Sequence, residues 1–183
     1  MFSINTQTGL LNEAIQFSSP NCDQRPEGYE ISLLVVHGIS LPPTEFGGEY
    51  IDNFFMNKLD TDAHPYFSEI KDIKVSSHLL IERSGRIKQF VPFNMRAWHA
   101  GVSQFEKRDC CNDYSIGIEL EGTDETEYTD EQYDVLQQIS KLLMATYPSI
   151  INKNIVGHCD IAPGRKTDPG KSFDWQRFKA KLA

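Results

Sequence analysis

The stretch ISLLVVH, residues 31–37, decides the fold. Its apolar and β-branched side chains follow one another without alternation, which is typical of a strand buried on both faces of a sheet. The chain then breaks at LPP (41–43) and FGG (46–48), so we expect His37 where a central strand gives way to a loop. The stretch SIGIELEG (115–122) predicts a further strand.

Patterns around these strands predict a mixed α/β (α+β) architecture. A Ser-Gly turn at 84–85 joins two β-rich runs and indicates a hairpin. Thr129 and Gln132 fit a capping box, and the helix that follows is expected to end at Pro148. The other predicted elements are strands at 76–83, 86–91 and 154–158 and a final helix from Ser172. We therefore expect one domain over residues 1–183, with a central mixed sheet flanked by helices.

Charge, hydropathy and cysteine content argue against several classes of protein. The 183 residues carry a formal net charge of −8, which disfavours nucleic acid or an anionic membrane as the main partner. The longest strongly apolar run, 31–36, is far shorter than the roughly 18 residues of a membrane span. No basic residue precedes Arg25, no secretion signal is recognisable, and the cysteines form no CxxC pair. These features predict a soluble, cytoplasmic protein with reduced thiols.

The stretch HCDIAPGRKTDPG, residues 158–170, carries the strongest signal for chemistry. It places His158 ten residues before Asp168, and His37 at the end of the predicted central strand offers a third partner. Two imidazoles and one carboxylate suit a tetrahedral Zn²⁺ with one position left for water. The alternative is that both histidines are interior residues and that Asp168 caps the final helix.

The strand SIGIELEG places two carboxylates on one face. Its apolar residues alternate with Glu119 and Glu121, so both acids point to the side opposite the isoleucines. The alternative is a solvated face of the sheet. A zinc hydrolase needs a carboxylate that is not a ligand and that takes a proton from water. Glu119, next to the strand centre, is our candidate for this base.

Lys166, two residues before Asp168, is a candidate for stabilising charge. When an amide carbonyl is attacked, negative charge grows on its oxygen, and a fixed cation stabilises that charge more than it stabilises the ground state. The alternative is a solvated loop lysine, which is the common case.

Taken in order, several blocks of the sequence resemble the AmpD family of zinc amidases. These blocks are VVHGISLPP, FGGEYID, AHPYF, VSSHLLI, AWHAGVS, SIGIELEGTD and HCDIAPGRKTDPGKSFDW. The resemblance runs from about Cys22 to Trp175, and we expect the core of the domain at about 22–180. It implies a fold shared with bacteriophage lysozyme-type amidases and peptidoglycan recognition proteins.

The resemblance also implies an activity and roles for residues. The expected enzyme is cytoplasmic and hydrolyses the bond between the lactyl group of 1,6-anhydro-N-acetylmuramic acid and the L-Ala of the stem peptide. It implies one Zn²⁺ per chain, held by His37, His158 and Asp168. Glu119 is then the base and Lys166 stabilises the oxyanion. Relatives often have cysteine in the position of Asp168.

Further residues are candidates for substrate contact. Relatives employ a tyrosine near the metal, and Tyr66 in AHPYF is its candidate counterpart; the alternative is a packed tyrosine. Trp98 offers an aromatic face to a sugar ring or belongs to the core. The polar and basic candidates are Asn112 and Asp113 at the cleft edge, with Lys74, Arg96 and Arg108 for the carboxylates of the stem peptide. Cys110 replaces an arginine that the family pattern leads us to expect, so one carboxylate contact is in doubt.

Three functions stay open at this point. The first is an anhydromuramyl-peptide amidase that acts on a soluble muropeptide as a monomer. The second is an amidase that acts on intact murein, like an autolysin or a phage lysin. The third is a muropeptide-binding module without catalysis. The presence of all three candidate ligands together with Glu119 and Lys166 favours an enzyme over a binding module. The acidic net charge of the chain favours the soluble muropeptide over murein, which is itself anionic.

Overall fold

A computed structural model describes residues 2–182 of the chain. The strands within this range are β1 (Ile4–Asn5), β2 (Leu10–Leu11), β3 (Ile15–Gln16), β4 (Cys22–Gln24), β5 (Leu33–Ile39), β6 (Leu79–Ile81), β7 (Ile87–Gln89), β8 (Met95–Ala97), β9 (Gln104–Phe105), β10 (Arg108–Asp109), β11 (Ser115–Glu121) and β12 (Ile155–Gly157). The helices are α1 (Tyr50–Phe55), α2 (Phe67–Ile70), α3 (Asp130–Thr146), α4 (His158–Ile161) and α5 (Trp175–Ala180). Short 3-10 turns occupy Cys111–Asp113 and Asn152–Asn154.

The central sheet has the order β12-β5-β11-β6-β7-β3 within the described residues. Strands β12, β5, β11 and β6 run parallel to one another, whereas β7 is antiparallel to β6. Leu33, Leu34, Val35 and Val36 of β5 are fully buried, which is why this strand reads as a continuous apolar run. The predicted mixed sheet, with its two long central strands, is confirmed.

The predicted hairpin is present, but its strands are shorter than expected. Residues 82–86 form the turn between β6 and β7, and the backbone N–H of Glu82 donates to the carbonyl of Arg86 at 2.9 Å. Gly85 has a φ of +79°, a conformation that favours glycine. The turn therefore takes up residues that the β-rich pattern assigned to strands.

Helix α3 covers one face of the sheet and begins at the predicted capping box. The side chain of Thr129 accepts from the backbone N–H of Gln132, and the Gln132 side chain accepts from the backbone N–H of Thr129. Ile139 and Leu143 are fully buried in the same core as Ile118 of β11. The helix packs its apolar face on the side of β11 opposite Glu119.

Two predicted boundaries near the C-terminus are corrected. The final helix does not start at Ser172, because Asp174 is its N-cap and accepts from the backbone N–H of Arg177 at 2.9 Å. The cap is therefore Asp174, and the alternative role of Asp168 as a helix cap is wrong. The predicted strand 154–158 ends one residue early, so His158 is the first residue of the short helix α4.

The other face of the sheet is covered by α1 and α2. Phe55 of α1 and Phe67 of α2 share a buried cluster with Leu80 of β6. Helices thus flank the sheet on both faces, as predicted. The cysteines are free thiols, namely Cys22, Cys110, Cys111 and Cys159. Among residues 2–182, none of the helices has the length and apolar character that a membrane span requires.

Candidate metal centre and active site

Three side chains with metal-binding atoms converge at one edge of the central sheet. The Nδ1 atom of His37 lies 3.0 Å from Nδ1 of His158 and 3.2 Å from Oδ2 of Asp168. Nδ1 of His158 and Oδ2 of Asp168 are 3.1 Å apart. A tetrahedral Zn²⁺ with bonds of about 2.0 Å has ligand atoms about 3.3 Å apart. The size of this triangle fits such an ion.

The parallel strands explain how residues so distant in the sequence meet. Val36 of β5 is the register partner of Gly157 of β12, so the next residues, His37 and His158, emerge side by side at the same edge. A loop brings Asp168 back to this edge, where its carbonyl accepts from the backbone N–H of Cys159 at 3.0 Å. The residues between His158 and Asp168 form the short helix α4 and the loop that returns the chain to this edge.

The hydrogen bonds of His158 test whether a cation fits the triangle. Its Nε2 atom lies 3.2 Å from the carbonyl oxygen of Ala100, which can only accept, so Nε2 carries a proton and donates it to this contact. A histidine binds a metal as the neutral ring. Nδ1 then presents a lone pair toward the carboxylate of Asp168. Two acceptors at hydrogen-bond distance need a proton or a cation between them. The donor set of two imidazoles and a carboxylate fits Zn²⁺.

The protonation states at neutral pH also suit metal ligands. Burial lowers the pKa of His37 to about 4, so this ring is neutral. Burial alone would raise the pKa of Asp168, but the closeness of its carboxyl group to the imidazoles of His158 and His37 outweighs burial and holds the pKa well below the usual range. A carboxylate and neutral rings are the forms that bind a metal.

Glu119 lies beside the triangle and is not part of it. It is the register partner of His37 in the pairing of β11 with β5, and its Oε1 is 4.0 Å from Nδ1 of His37. Its Oε2 is buried and has no hydrogen-bond partner among residues 2–182. Burial and the charge of Asp168 raise the pKa of Glu119 well above its usual value. A buried carboxylate with a free oxygen is suited to exchanging protons.

Glu121, the second acid of the same strand face, has a different environment. Its carboxylate accepts from the backbone N–H groups of Gly47 and Arg83. These bonds tie the loop after β5 and the hairpin turn to the end of β11. Glu121 is therefore occupied in holding loops, whereas Glu119 is free for chemistry.

A cavity of about 310 Å³ opens over this edge. Its floor includes the triangle and Glu119, and Lys166 and Tyr66 also line it. The wall on one side is apolar and comes from Leu41, Phe54, Phe55, Ile70, Ile73 and Val75. A second, more open cavity of about 540 Å³ shares Lys166, Tyr66 and Asp168 with the first and adds polar residues such as Thr123 and Thr167. The site is thus reached through a cleft with one apolar and one polar side.

Comparison with known proteins finds close relatives of this chain. The family model for N-acetylmuramoyl-L-alanine amidase matches residues 27–171. The 1,6-anhydro-N-acetylmuramyl-L-alanine amidase AmpD of Haemophilus influenzae is 57% identical over 172 residues, which cover 94% of each chain.

The chain belongs to the AmpD family of N-acetylmuramoyl-L-alanine amidases.

Solved structures agree with this assignment. A crystal structure of AmpD, as a selenomethionine derivative, is 56% identical and superposes with a TM-score of 0.93 over 96% of this chain and 98% of the other. The amidase AmiD from Escherichia coli, solved with its substrate anhydro-N-acetylmuramic acid-L-Ala-D-γ-Glu-L-Lys, is 31% identical with a TM-score of 0.61 over 86% of this chain and 60% of AmiD. The predicted family resemblance is confirmed.

Three of the predicted substrate residues lie in contacts that hold this AmpD-family chain together. Arg96 pairs with Asp23 and with Asp113, and Trp98 Nε1 donates to Asp23 at 3.2 Å. The side-chain oxygen of Asn112 accepts from two backbone N–H groups. Arg96, Trp98 and Asn112 are not among the residues that line the two cavities. Their predicted contact with substrate has no support in this arrangement.

Two further predicted cations lie apart from the metal centre. Lys74 is exposed and lines a small pocket of about 50 Å³ beyond Ile73. Arg108 is exposed and its guanidinium stacks over the rings of Tyr29 and Tyr114, with 3.8 Å to the Tyr114 centroid. Lys166, by contrast, lines both cavities of the cleft.

Sequence reasoning missed Tyr128, which supports the loop that carries Asp168. Its hydroxyl donates to the carbonyl of Pro169 at 2.9 Å, and its ring packs over Gly38 and Gly122. A Cβ atom on either glycine would lie 2.3 Å from an atom of Tyr128. The two glycines, one after His37 and one after Glu121, were the only signal in the sequence that a ring had to fit there.

Proposed function

We propose that this chain is a zinc-dependent 1,6-anhydro-N-acetylmuramyl-L-alanine amidase. It hydrolyses the amide bond between the lactyl group of the anhydromuramic acid and the L-Ala of the stem peptide. The observation that carries the proposal is the triangle of His37, His158 and Asp168 with the unpaired carboxylate of Glu119 beside it. The activity named for the AmpD relatives supports the choice of substrate.

The residues of the triangle would hold one Zn²⁺ through His37 Nδ1, His158 Nδ1 and Asp168 Oδ2. When bound, the ion supplies Lewis-acid activation of water and of the amide carbonyl. With three protein ligands, such an ion would keep one coordination position for water or substrate, as catalytic zinc sites do.

Glu119 acts as the general base. Its carboxylate accepts a proton from the attacking water as oxygen bonds to the lactyl carbonyl carbon. When the C–N bond breaks, the same carboxyl group returns the proton to the nitrogen of L-Ala. The second proton of the water leaves the new carboxyl group and also ends on this amine, so the products are a lactyl carboxylate and a peptide with a free ammonium group. The raised pKa of Glu119 suits a group that must both take and give a proton.

Lys166 and Tyr66 act at the carbonyl oxygen. The ammonium of Lys166 stabilises the negative charge that grows there, because Lys166 lines the same cavity as the proposed ligands. Tyr66 lines both cavities of the cleft, and its hydroxyl is a donor for the same oxygen or for the peptide. Neither side chain needs to reach the metal for these roles.

The partner is a soluble muropeptide. The structures of AmiD and of AmpDh3 with anhydromuramic peptides support a ligand of this class. A cytoplasmic location and a monomeric state stay predictions from the sequence, as does the domain boundary. Contacts of Trp98, Arg96, Asn112 and Lys74 with substrate also stay predictions.

A competition assay tests the function. Zinc-loaded protein is offered soluble anhydromuramyl-tripeptide and isolated murein together, and released peptide is identified by mass spectrometry. We expect free tripeptide chiefly from the anhydro sugar, and E119Q gives the background. Release chiefly from murein would instead make this a lytic amidase. Binding of both without release, despite bound zinc, would make it a muropeptide-binding module.

A further inference from the structure

The dipeptide His99-Ala100 contacts both histidines of the metal triangle. Nδ1 of His99 lies 2.9 Å from Nε2 of His37, and the carbonyl oxygen of Ala100 lies 3.2 Å from Nε2 of His158. Both contacts are made to the ring nitrogen that faces away from the triangle. We propose that His99 is a positioning residue that fixes the orientation and tautomer of His37, with Ala100 doing the same for His158. This inference rests on the proposed metal site.

The hydrogen bonds from His37 to His99 and Ser115 allow one assignment of protons to the ring nitrogens of the two histidines. Nδ1 of His37 faces the triangle as a ligand, so its Nε2 carries the proton and donates to Nδ1 of His99. The proton of His99 must then be on Nε2, which lies 2.9 Å from the hydroxyl oxygen of Ser115. His37, His99 and Ser115 thus form a chain of hydrogen bonds that runs from the metal triangle into strand β11. Partners of this kind orient histidine ligands at metal sites and raise their basicity.

Strand β11 is built to admit the ring of His99. A Cβ atom on Gly117 would lie 2.5 Å from Cγ and 2.6 Å from Nδ1 of His99, which no side chain could tolerate unless the ring moved. The hydroxyl of Ser77 donates to the carbonyl of Gly117 at 2.7 Å and fixes the strand at this point. The position of the imidazole is therefore set by backbone on that side.

The backbone of the dipeptide is fixed as well. The side-chain oxygen of Asn112 accepts from the N–H of His99 at 3.1 Å and from the N–H of Ala100 at 2.8 Å. Asn112 therefore fixes the backbone of His99-Ala100, the dipeptide that contacts His37 and His158. This contact gives Asn112 a function other than the substrate binding predicted from the sequence.

Arg165 adds a second tie to the same segment. Its guanidinium donates to the carbonyl of Ala100 at 2.6 Å and to that of Val102 at 2.7 Å. Because Arg165 belongs to the loop between His158 and Asp168, it connects the ligand loop directly to the dipeptide. The carbonyl of Ala100 has two lone pairs and accepts from both His158 and Arg165.

Two variants of His99 separate the hydrogen bond from simple packing. H99F keeps an aromatic ring but has no acceptor for His37, whereas the Oδ1 of H99N can occupy the place of Nδ1. We measure zinc affinity by competition with a chromophoric chelator. We expect H99F to bind zinc about 10-fold to 100-fold more weakly, the loss typical of removing a partner of a ligand. We expect H99N to recover most of the loss, and H64F, a histidine outside the triangle, to bind zinc like the wild type.

The outcomes decide the inference independently of the amidase activity. Zinc affinity of folded H99F equal to that of the wild type, or equal losses in H99F and H99N, would overturn it. If H99F does not fold, as judged by circular dichroism, ¹⁵N NMR of the wild-type histidines replaces it; a proton on Nδ1 of His99 would then overturn the inference. If the wild type binds zinc but cleaves no muropeptide, the proposed function fails while the affinity ranking still tests the role of His99.

Discussion

Oδ2 of Asp168 lies 3.1 Å from Nδ1 of His158, although the two are ten positions apart in the sequence, with helix α4 and a loop between them. The contact closes the loop over the end of β12 and aims the carboxylate at the same point as two imidazoles. Of the three proposed ligands, Asp168 is the one that carries charge as a ligand, so it would contribute most to neutralising a divalent ion.

Replacing Asp168 by asparagine removes this charge and keeps the shape. We expect D168N to bind zinc at least about 100-fold more weakly, since loss of an indirect partner alone costs up to that factor. Equilibrium dialysis with metal analysis measures the change, and D72N, on an exposed loop, serves as the control. Full zinc content in D168N would show that the aspartate is not a ligand.

Replacing Glu119 by glutamine tests the general base. We expect E119Q to keep its zinc and to lose about 10²-fold to 10⁴-fold in kcat, because an amide cannot accept the proton from water. Steady-state kinetics on anhydromuramyl-tripeptide measure the loss. E121Q is the matched comparison on the same strand face, and its loss should be smaller, because Glu121 is bound to backbone N–H groups. A larger loss in E121Q would reverse the assignment.

Stability of the zinc-free protein should fall in mild acid. Burial and the nearby guanidinium of Arg25 lower the pKa of His78 to about 3, so the folded protein keeps this ring neutral where the unfolded chain, with a pKa of 6.5, takes up a proton. Since the unfolded state then binds more protons, the free energy of unfolding decreases as the pH falls below about 6.5. This single histidine accounts for about 2 kcal/mol between pH 7 and pH 5.

The variant H78N isolates this contribution. Its Oδ1 can accept from the backbone N–H of Gly117, as Nδ1 of His78 does at 3.0 Å, but it does not titrate. Urea unfolding at pH 5, 6 and 7 in the presence of EDTA should give H78N a shallower dependence on pH than the wild type. Parallel curves for the two proteins would mean that His78 is not held neutral by the fold.

A buried ion pair joins helix α1 to the sheet and gives a prediction for stability. The ammonium of Lys88 lies 2.6 Å from Oδ2 of Asp52 and 2.7 Å from Oε1 of Glu82. Removing the cation in K88M leaves the buried carboxylate of Asp52 unpaired, whereas Glu82 keeps its contact with Arg86. The unpaired carboxylate should cost about 3–5 kcal/mol. Chemical denaturation measures the loss, with K141M, on the exposed side of α3, as the control. Similar losses in the two variants would show that the pair adds nothing specific.

Local patterns predicted the elements that carry the site. The unbroken apolar run before His37, the alternation around Glu119 and the capping box at Thr129 each depend on neighbours in the sequence, and each is confirmed as structure. The exact start of α5 was not predictable in the same way, since both Ser172 and Asp174 are good caps. In the structure Asp174 caps the helix, and the hydroxyl of Ser172 donates to the carbonyl of Thr123 at 2.9 Å.

Contacts across the fold explain what the sequence could not predict. Arg96 was expected at the substrate because arginines bind carboxylates, and this contact stays a prediction. The ion pair of Arg96 with Asp23, far away in the sequence, was not predicted. The role of Asn112 depends on two backbone N–H groups that only the folded chain brings to it. Partners that are distant in the sequence cannot be predicted from local patterns.

The register between β5 and β11 has a consequence for how members of this family can vary. His37 and Glu119 are opposite each other because of hydrogen bonds between the two strands, with no loop in the connection. Insertions in the loops around the cleft therefore leave ligand and base at their spacing, and loop length is free to adapt to longer or shorter peptides. A single residue inserted in β11 before Glu119 would turn this carboxylate to the apolar side, under α3, and one inserted in β5 before His37 would turn the imidazole away from Asp168. Either change would abolish the proposed chemistry in one step.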